Sequence, residues 1–240
     1  MFDPEAATRA ASHGLPPGSV TSGEPSPHLL QILTTEHWSL LATRSMGYTE
    51  AMSRAALFIA ALSGAVVALA LVAQATDFGN GFVAFALVLL PVVFFVGLVT
   101  VVRLGQINQE DALWVQGLNR LRHAYLELAP ELEPYFVTSR YDDMSGMIAS
   151  APHSKPRTRF QAFASAPGLV AVLDSVVAGA TAGVAGLGLD FETGTLIAVG
   201  AAVFAITLGA FVVYAWTVQS HSRALPVRFP TPSEDGPDAS

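Results

Sequence analysis

Four runs of apolar residues, at 55–75, 82–102, 168–189 and 195–217, dominate the pattern of this chain. Each is nearly free of charge and holds about 20 residues, enough for a helix rising 1.5 Å per residue to cross a hydrocarbon layer about 30 Å thick. The connections at 76–81 and 190–194 are short and polar, while the one between the second and third runs is long. The pattern predicts an all-α, polytopic membrane protein: four transmembrane helices in two hairpins, with helical extensions outside the membrane.

Outside the runs the spacing changes. Leu30, Leu33, His37, Leu41, Arg44 and Tyr48 recur three or four apart after Ser26-Pro27, the mark of a helix with one apolar stripe. This pattern either breaks at Gly47 or runs on into the first span. The second run passes without a breaker into Ile107, Asp111, Trp114, Leu118, Leu121, Tyr125 and Leu128. That alternating three-four repeat predicts a projecting helix with a coiled-coil-like seam, ended by Pro130 and Pro134. Alone, such a seam is wet, and the N-terminal helix is its nearest partner. Arg44 precedes Arg54 by ten residues and Asp111 follows Arg103 by eight, about 15 Å and 12 Å along a helix. These two charged exceptions match in depth. They are expected to form a structural salt bridge, with Glu110 as substitute acceptor and His37 farther out near Leu118 and Leu121. The alternative is that both charges flank the seam in solvent.

The organisation expected is a disordered arm (1–27), a unit holding the first hairpin and its extensions (28–139), a Pro-, Ser- and Gly-rich linker (140–167), the second hairpin (168–222) and a disordered tail (223–240).

Charge adds direction. All 12 Lys and Arg residues lie before the first run, between the second and third runs, or after the fourth, and neither short connection carries one. Cationic side chains resist translocation, so this bias predicts a multi-pass protein of a bacterial inner membrane with both termini cytoplasmic. The first 28 residues hold no apolar run, so no secretory signal peptide is expected. A mean hydropathy of +0.48 and 13% charged residues fit the same class. The net charge of −7 with no basic stripe argues against nucleic acid as a partner. Without cysteine there are no disulfides, thiolate metal sites or cysteine nucleophiles.

Asp174, about two turns inside the third run, is the sharpest candidate for chemistry. A charge at the centre of a bilayer costs about 2.5–3.5 kcal/mol on insertion scales, so such residues usually face a bundle interior or a water path. Asp174, Ser175 and Thr181 form a candidate ion or proton site. The bland alternative is a carboxylate hydrated near the interface, or one satisfied by Ser175 and a neighbouring helix. Gly179, Gly183 and Gly186 make a separate small-residue face suited to close helix packing, within one chain or between chains. Ala60 with Gly64, and Ala205 with Gly209, are similar pairs. Pro91 predicts a kink in the second span. Enzyme signatures fail: Glu36-His37 has no second His at helical spacing, Asp142-Asp143 reads as a pair of solvated loop acids, and the Gly183–Gly188 stretch lies inside a span. No catalytic residue, metal site or cofactor is expected.

The stretches Thr35-Glu36-His37-Trp38-Ser39-Leu40-Leu41, Asn119-Arg120-Leu121-Arg122-His123 and Ala129-Pro130-Glu131-Leu132-Glu133-Pro134-Tyr135 resemble a group of uncharacterised actinobacterial integral membrane proteins, over about residues 28–150. The order of cytoplasmic helix, two spans and cytoplasmic helix is also similar to SLATT-type two-span domains, and implies pore formation by analogy of architecture. The reading that results is a non-enzymatic membrane protein that self-associates as a scaffold or an ion-conducting assembly. The alternatives are a small proton-coupled transporter using Asp174, and an accessory subunit bound to a larger membrane complex. Its partners are the lipid bilayer and either further copies of itself or another membrane protein held through the Trp114–Leu128 helix.

Overall fold

The structure, a computed structural model, describes residues 26–150, 165–220 and 225–232. The chain divides into two units, Met1–Thr35 and Glu36–Ser240. Every described element is helical: α1 (Pro27–Thr76), α2 (Asn80–Leu128), a 3-10 turn (Pro130–Tyr135), α3 (Met144–Ala149), α4 (Ala166–Leu187) and α5 (Thr193–Ser220). Four of them, α1, α2, α4 and α5, are long and apolar enough to cross a membrane.

Gly47 does not break α1, and a side chain there would only touch Ile107 of α2. Asp77 and Phe78 then turn the chain in left-handed conformations (φ 44° and 57°), and Gly79 bonds back to the Thr76 carbonyl. A bulky residue such as Phe78 is strained there. The turn from α4 to α5 uses one left-handed residue, Asp190 (φ 56°). The two connections share an Asp-Phe pair in sequence but not in conformation. Pro91 lies inside α2, which is assigned as helix without interruption to Leu128. Ser165 accepts a hydrogen bond from the Gly168 amide and caps α4, with Pro167 in the first turn, where its missing N–H is harmless.

One apolar cluster joins α1, α2, α4 and α5 through Phe58, Leu90, Val93, Val101, Leu104, Val170, Val177 and Phe211. The outer faces are apolar too: Val67, Leu71, Val88, Val92, Ile197, Ile206 and Trp216 are exposed.

Two segments without an apolar period are nonetheless tied down. Residues 140–150, part of the segment read as a linker (140–167), and residues 225–232, part of the tail expected to be disordered (223–240), have defined partners. Asp143 caps α3 by accepting from the Gly146 amide at 2.8 Å, and Gly146 sits so close to the Tyr141 carbonyl that no side chain fits. The C-terminal segment lies along α2 and is held there by hydrogen bonds rather than by an apolar stripe, so hydrophobic periodicity gave no sign of it.

Candidate functional site

Asp174 is wholly buried where three helices meet. It packs against Gly97 of α2, where a Cβ would collide with the carboxylate and would also come within 2.7 Å of the Phe58 ring of α1. Glycine at 97 is what makes room for the acid. Neither carboxylate oxygen has a hydrogen-bond partner among the described residues. Ser175 does not supply one, because its hydroxyl donates to the Ala171 carbonyl at 2.7 Å. Thr181 is likewise turned onto its own helix and donates to Val177 at 2.7 Å. The three residues grouped by sequence are therefore not bonded to one another, and Asp174 stands alone. Burying a polar group without a partner costs several kcal/mol for a neutral group and far more for a charge. Native structures rarely tolerate this without a functional reason.

The glycine face of α4 is divided. Gly179 lies against Gly200 of α5, each so near the other's carbonyl that a Cβ would meet it at 2.7 Å and 3.1 Å. Gly186 packs under Leu196 and Phe191 of the same chain, whereas Gly183 faces open space. Gly64 and Gly209 are open as well. Tyr214 of α5 rests on Gly105 and donates to the Val102 carbonyl at 3.3 Å, tying α5 to α2.

Beyond the apolar layer, the part of α1 after residue 36 runs beside α2. The Arg44 guanidinium donates to both Asp111 oxygens, at 2.6 Å and 3.2 Å. Glu110 accepts instead from Arg103 at 3.0 Å. Glu50 takes a two-pronged bond from Arg103 (2.9 and 3.0 Å) and one from Arg54 (2.8 Å). These guanidinium bonds, Arg103 first and Arg54 second, hold the Glu50 pKa down to about 2. His37 lies one step farther along than Leu118 and Leu121, its ring tilted against Tyr125 at 5.9 Å. Burial, and next the nearby Arg122 charge, keep its pKa below the ordinary value. Around the Arg44–Asp111 pair opens a cleft of about 800 Å³, lined by α1 down to Ala51 and Met52, by α2 from Trp114 to Leu104, and by Ala166 and Pro167 at the start of α4.

Asp142 overturns the reading of Asp142-Asp143 as solvated acids. It is fully buried and accepts from Arg120 Nε (2.7 Å), the Phe229 amide (2.7 Å) and the Arg228 amide (3.1 Å). Burial pushes its pKa up, but the donors of Phe229, Arg120 and Arg228 outweigh that and hold it below the ordinary carboxylate range. Gln116, also buried, donates to the carbonyls of Asp142 and Leu225, both at 2.9 Å, and accepts from the Leu225 amide at 2.8 Å. Phe229 stacks on His123 at 3.9 Å, and Asp143 accepts from the Thr231 amide (2.9 Å) and hydroxyl (2.8 Å). Sequence reasoning missed this cluster. The weak signal available was Gln116 and Asn119, two amides on the projecting helix.

Among the described residues no cluster of His, Asp or Glu is arranged to hold a metal ion. No protein-family model, curated protein or solved structure matches this chain.

Proposed function

We propose that this chain is a four-span inner-membrane protein whose two hairpins enter from the cytoplasm and return to it. On this reading Asp174 is the group at which a proton or small cation is bound in passage. The observation that carries it is the pairing of complete burial with two unpartnered carboxylate oxygens on an apolar helix. Membrane insertion draws support from four long apolar helices whose outer faces stay apolar, and orientation from the one-sided distribution of all 12 cations. The small residues Gly64, Gly183 and Gly209, each with open space beside it, suit close approach by further copies, so a homo-oligomer is the assembly proposed. The activity is non-enzymatic.

A scaffold or accessory subunit is the second reading, and the well-ordered Asp142 cluster on α2 favours it as a rigid cytoplasmic stalk. Flux of protons and potassium into liposomes holding the purified protein separates the two. Wild-type flux that Asp174→Asn abolishes supports conduction. Equal, negligible flux in both retires conduction and leaves the scaffold.

A further inference from the structure

The cleft and Asp174 lie on one line. The innermost cleft residues are Ala51 and Met52 on α1, Leu104 on α2 and Pro167 on α4. The residues meeting at the buried carboxylate are Phe58, Gly97 and Asp174 on the same three helices. On α2 and α4 the step from one level to the other is seven residues, 104 to 97 and 167 to 174, and on α1 it is six or seven, from 52 or 51 to 58. Seven residues are two helical turns, about 10 Å. Three helices reaching one depth by nearly the same count means that the floor of the cleft faces the carboxylate along a shared seam.

Half-way down stands a single layer of small apolar side chains. Ala55, Val101 and Val170 are each three or four residues from both levels, all are buried, and all belong to the apolar cluster. At the mouth, by contrast, every carboxylate is already paired: Asp111 with Arg44, Glu110 with Arg103, Glu50 with Arg54 and Arg103. The first unpaired acceptor on this line is Asp174. A wide vestibule with paired charges at its mouth, a thin dry constriction and a carboxylate beyond it is an arrangement that passes ions when the constriction wets.

We infer that the cleft between α1, α2 and the start of α4 is the aqueous approach to Asp174, and that the Ala55–Val101–Val170 layer is the barrier a proton or small cation crosses to reach it. This rests on the reading of Asp174 as an ion or proton site, but its test does not depend on flux.

The chain has no cysteine, so Ala51→Cys gives one thiol on the cleft floor, and Val137→Cys gives one on an exposed surface outside the cleft and the spans. The full-length protein in liposomes is treated with a small charged thiosulfonate after folding, so that neither variant needs to fold around a bulky group. A water-soluble carbodiimide is then added, and the Asp174 adduct is followed by peptide mass spectrometry. The carboxyl O–H adds across a C=N bond of the reagent and the product rearranges to a stable N-acylurea, with nothing lost. Charged label at residue 51 is expected to slow adduct formation about tenfold, as a blocked pore entrance would, and label at residue 137 to leave it unchanged. An Ala51→Cys thiol that never reacts, an Asp174 that forms no adduct in the wild type, or a rate indifferent to label at 51 would each overturn the inference. Absent flux with a blocked adduct would sink only the conducting function, while intact flux with an indifferent adduct rate would sink only the route.

Discussion

Asp142 and Asp174 are both fully buried, yet one is surrounded by donors and the other has none. Asp142 collects a guanidinium and two backbone amides from segments 22 and 86–87 residues away. Asp174 has a glycine, an aromatic ring and its own helix. The difference separates two uses of one side chain. A carboxylate whose lone pairs are all taken fastens pieces of chain together and has nothing left for a ligand. A carboxylate held in a dry niche with its lone pairs free stabilises nothing and is available to whatever arrives.

The widest separation between the two comes from deleting each charge. Asp142→Ala strands the Arg120 guanidinium and releases the 225–232 segment, so it is expected to destabilise the fold by about 3 kcal/mol. That corresponds to a melting temperature lower by roughly 6–12 °C for a chain of this size, read by circular dichroism in mild detergent. Asp174→Val removes a group with no partner, and its melting temperature should be unchanged or higher. A fall as large as that of Asp142→Ala would mean that Asp174 is structural after all. Acid probes the same contrast. The Asp142 pKa is depressed in the fold, so its contribution is complete above the ordinary aspartate value near 4 and is lost as pH falls through the lower folded value. Protection of the Phe229 amide, its exchange rate relative to the unstructured amide at the same pH, should therefore stay high at pH 6 and fall as pH drops below about 4.

Gly97 sharpens the comparison from the other side. Gly97→Ala puts a methyl group into the space that holds the Asp174 carboxylate and against Phe58. Overpacking of this kind costs about 1–3 kcal/mol. Adding Asp174→Ala should recover part of the loss, a coupling expected only of residues in contact. Additive losses in the double variant would show that the niche relaxes without reference to the acid.

How legible each region was follows from where its partners lie. The four long helices could be read because their signal, apolar length, is local to each segment. Asp174 stood out as a charge inside such a run, and the depth match of Arg44 with Asp111 needed only counting along two continuous helices. The niche did not show, because Gly97 in an apolar run looks like any packing glycine until α4 is laid against it. The Asp142 cluster was misread for a stronger reason. Its donors are largely backbone amides of Arg228 and Phe229, which every residue but proline carries, so no side-chain pattern marks them. A proline-rich tail without apolar period looks disordered until a carboxylate 86 residues upstream is found to hold it.

The smallest expected effect belongs to the pair that counting found. Arg44 and Asp111 keep 36% and 40% of their side-chain surface in solvent, and pairs so exposed contribute about 0.2–1 kcal/mol. A double-mutant cycle with Arg44→Ala and Asp111→Ala should return a coupling in that range, shrinking as salt is raised from 0.05 to 0.5 M because the Debye length falls below about 5 Å. Its two-pronged geometry bears more on register than on stability. A slip of α1 along α2 by one turn would separate the two charges by about 5 Å and carry Ala51 away from the floor of the cleft. The exchanged pair Arg44→Asp with Asp111→Arg should therefore restore the coupling and leave Ala51→Cys labelling at its wild-type-background rate, whereas either single charge reversal should alter that rate. Labelling indifferent to all three would show that the apolar seam alone sets the register.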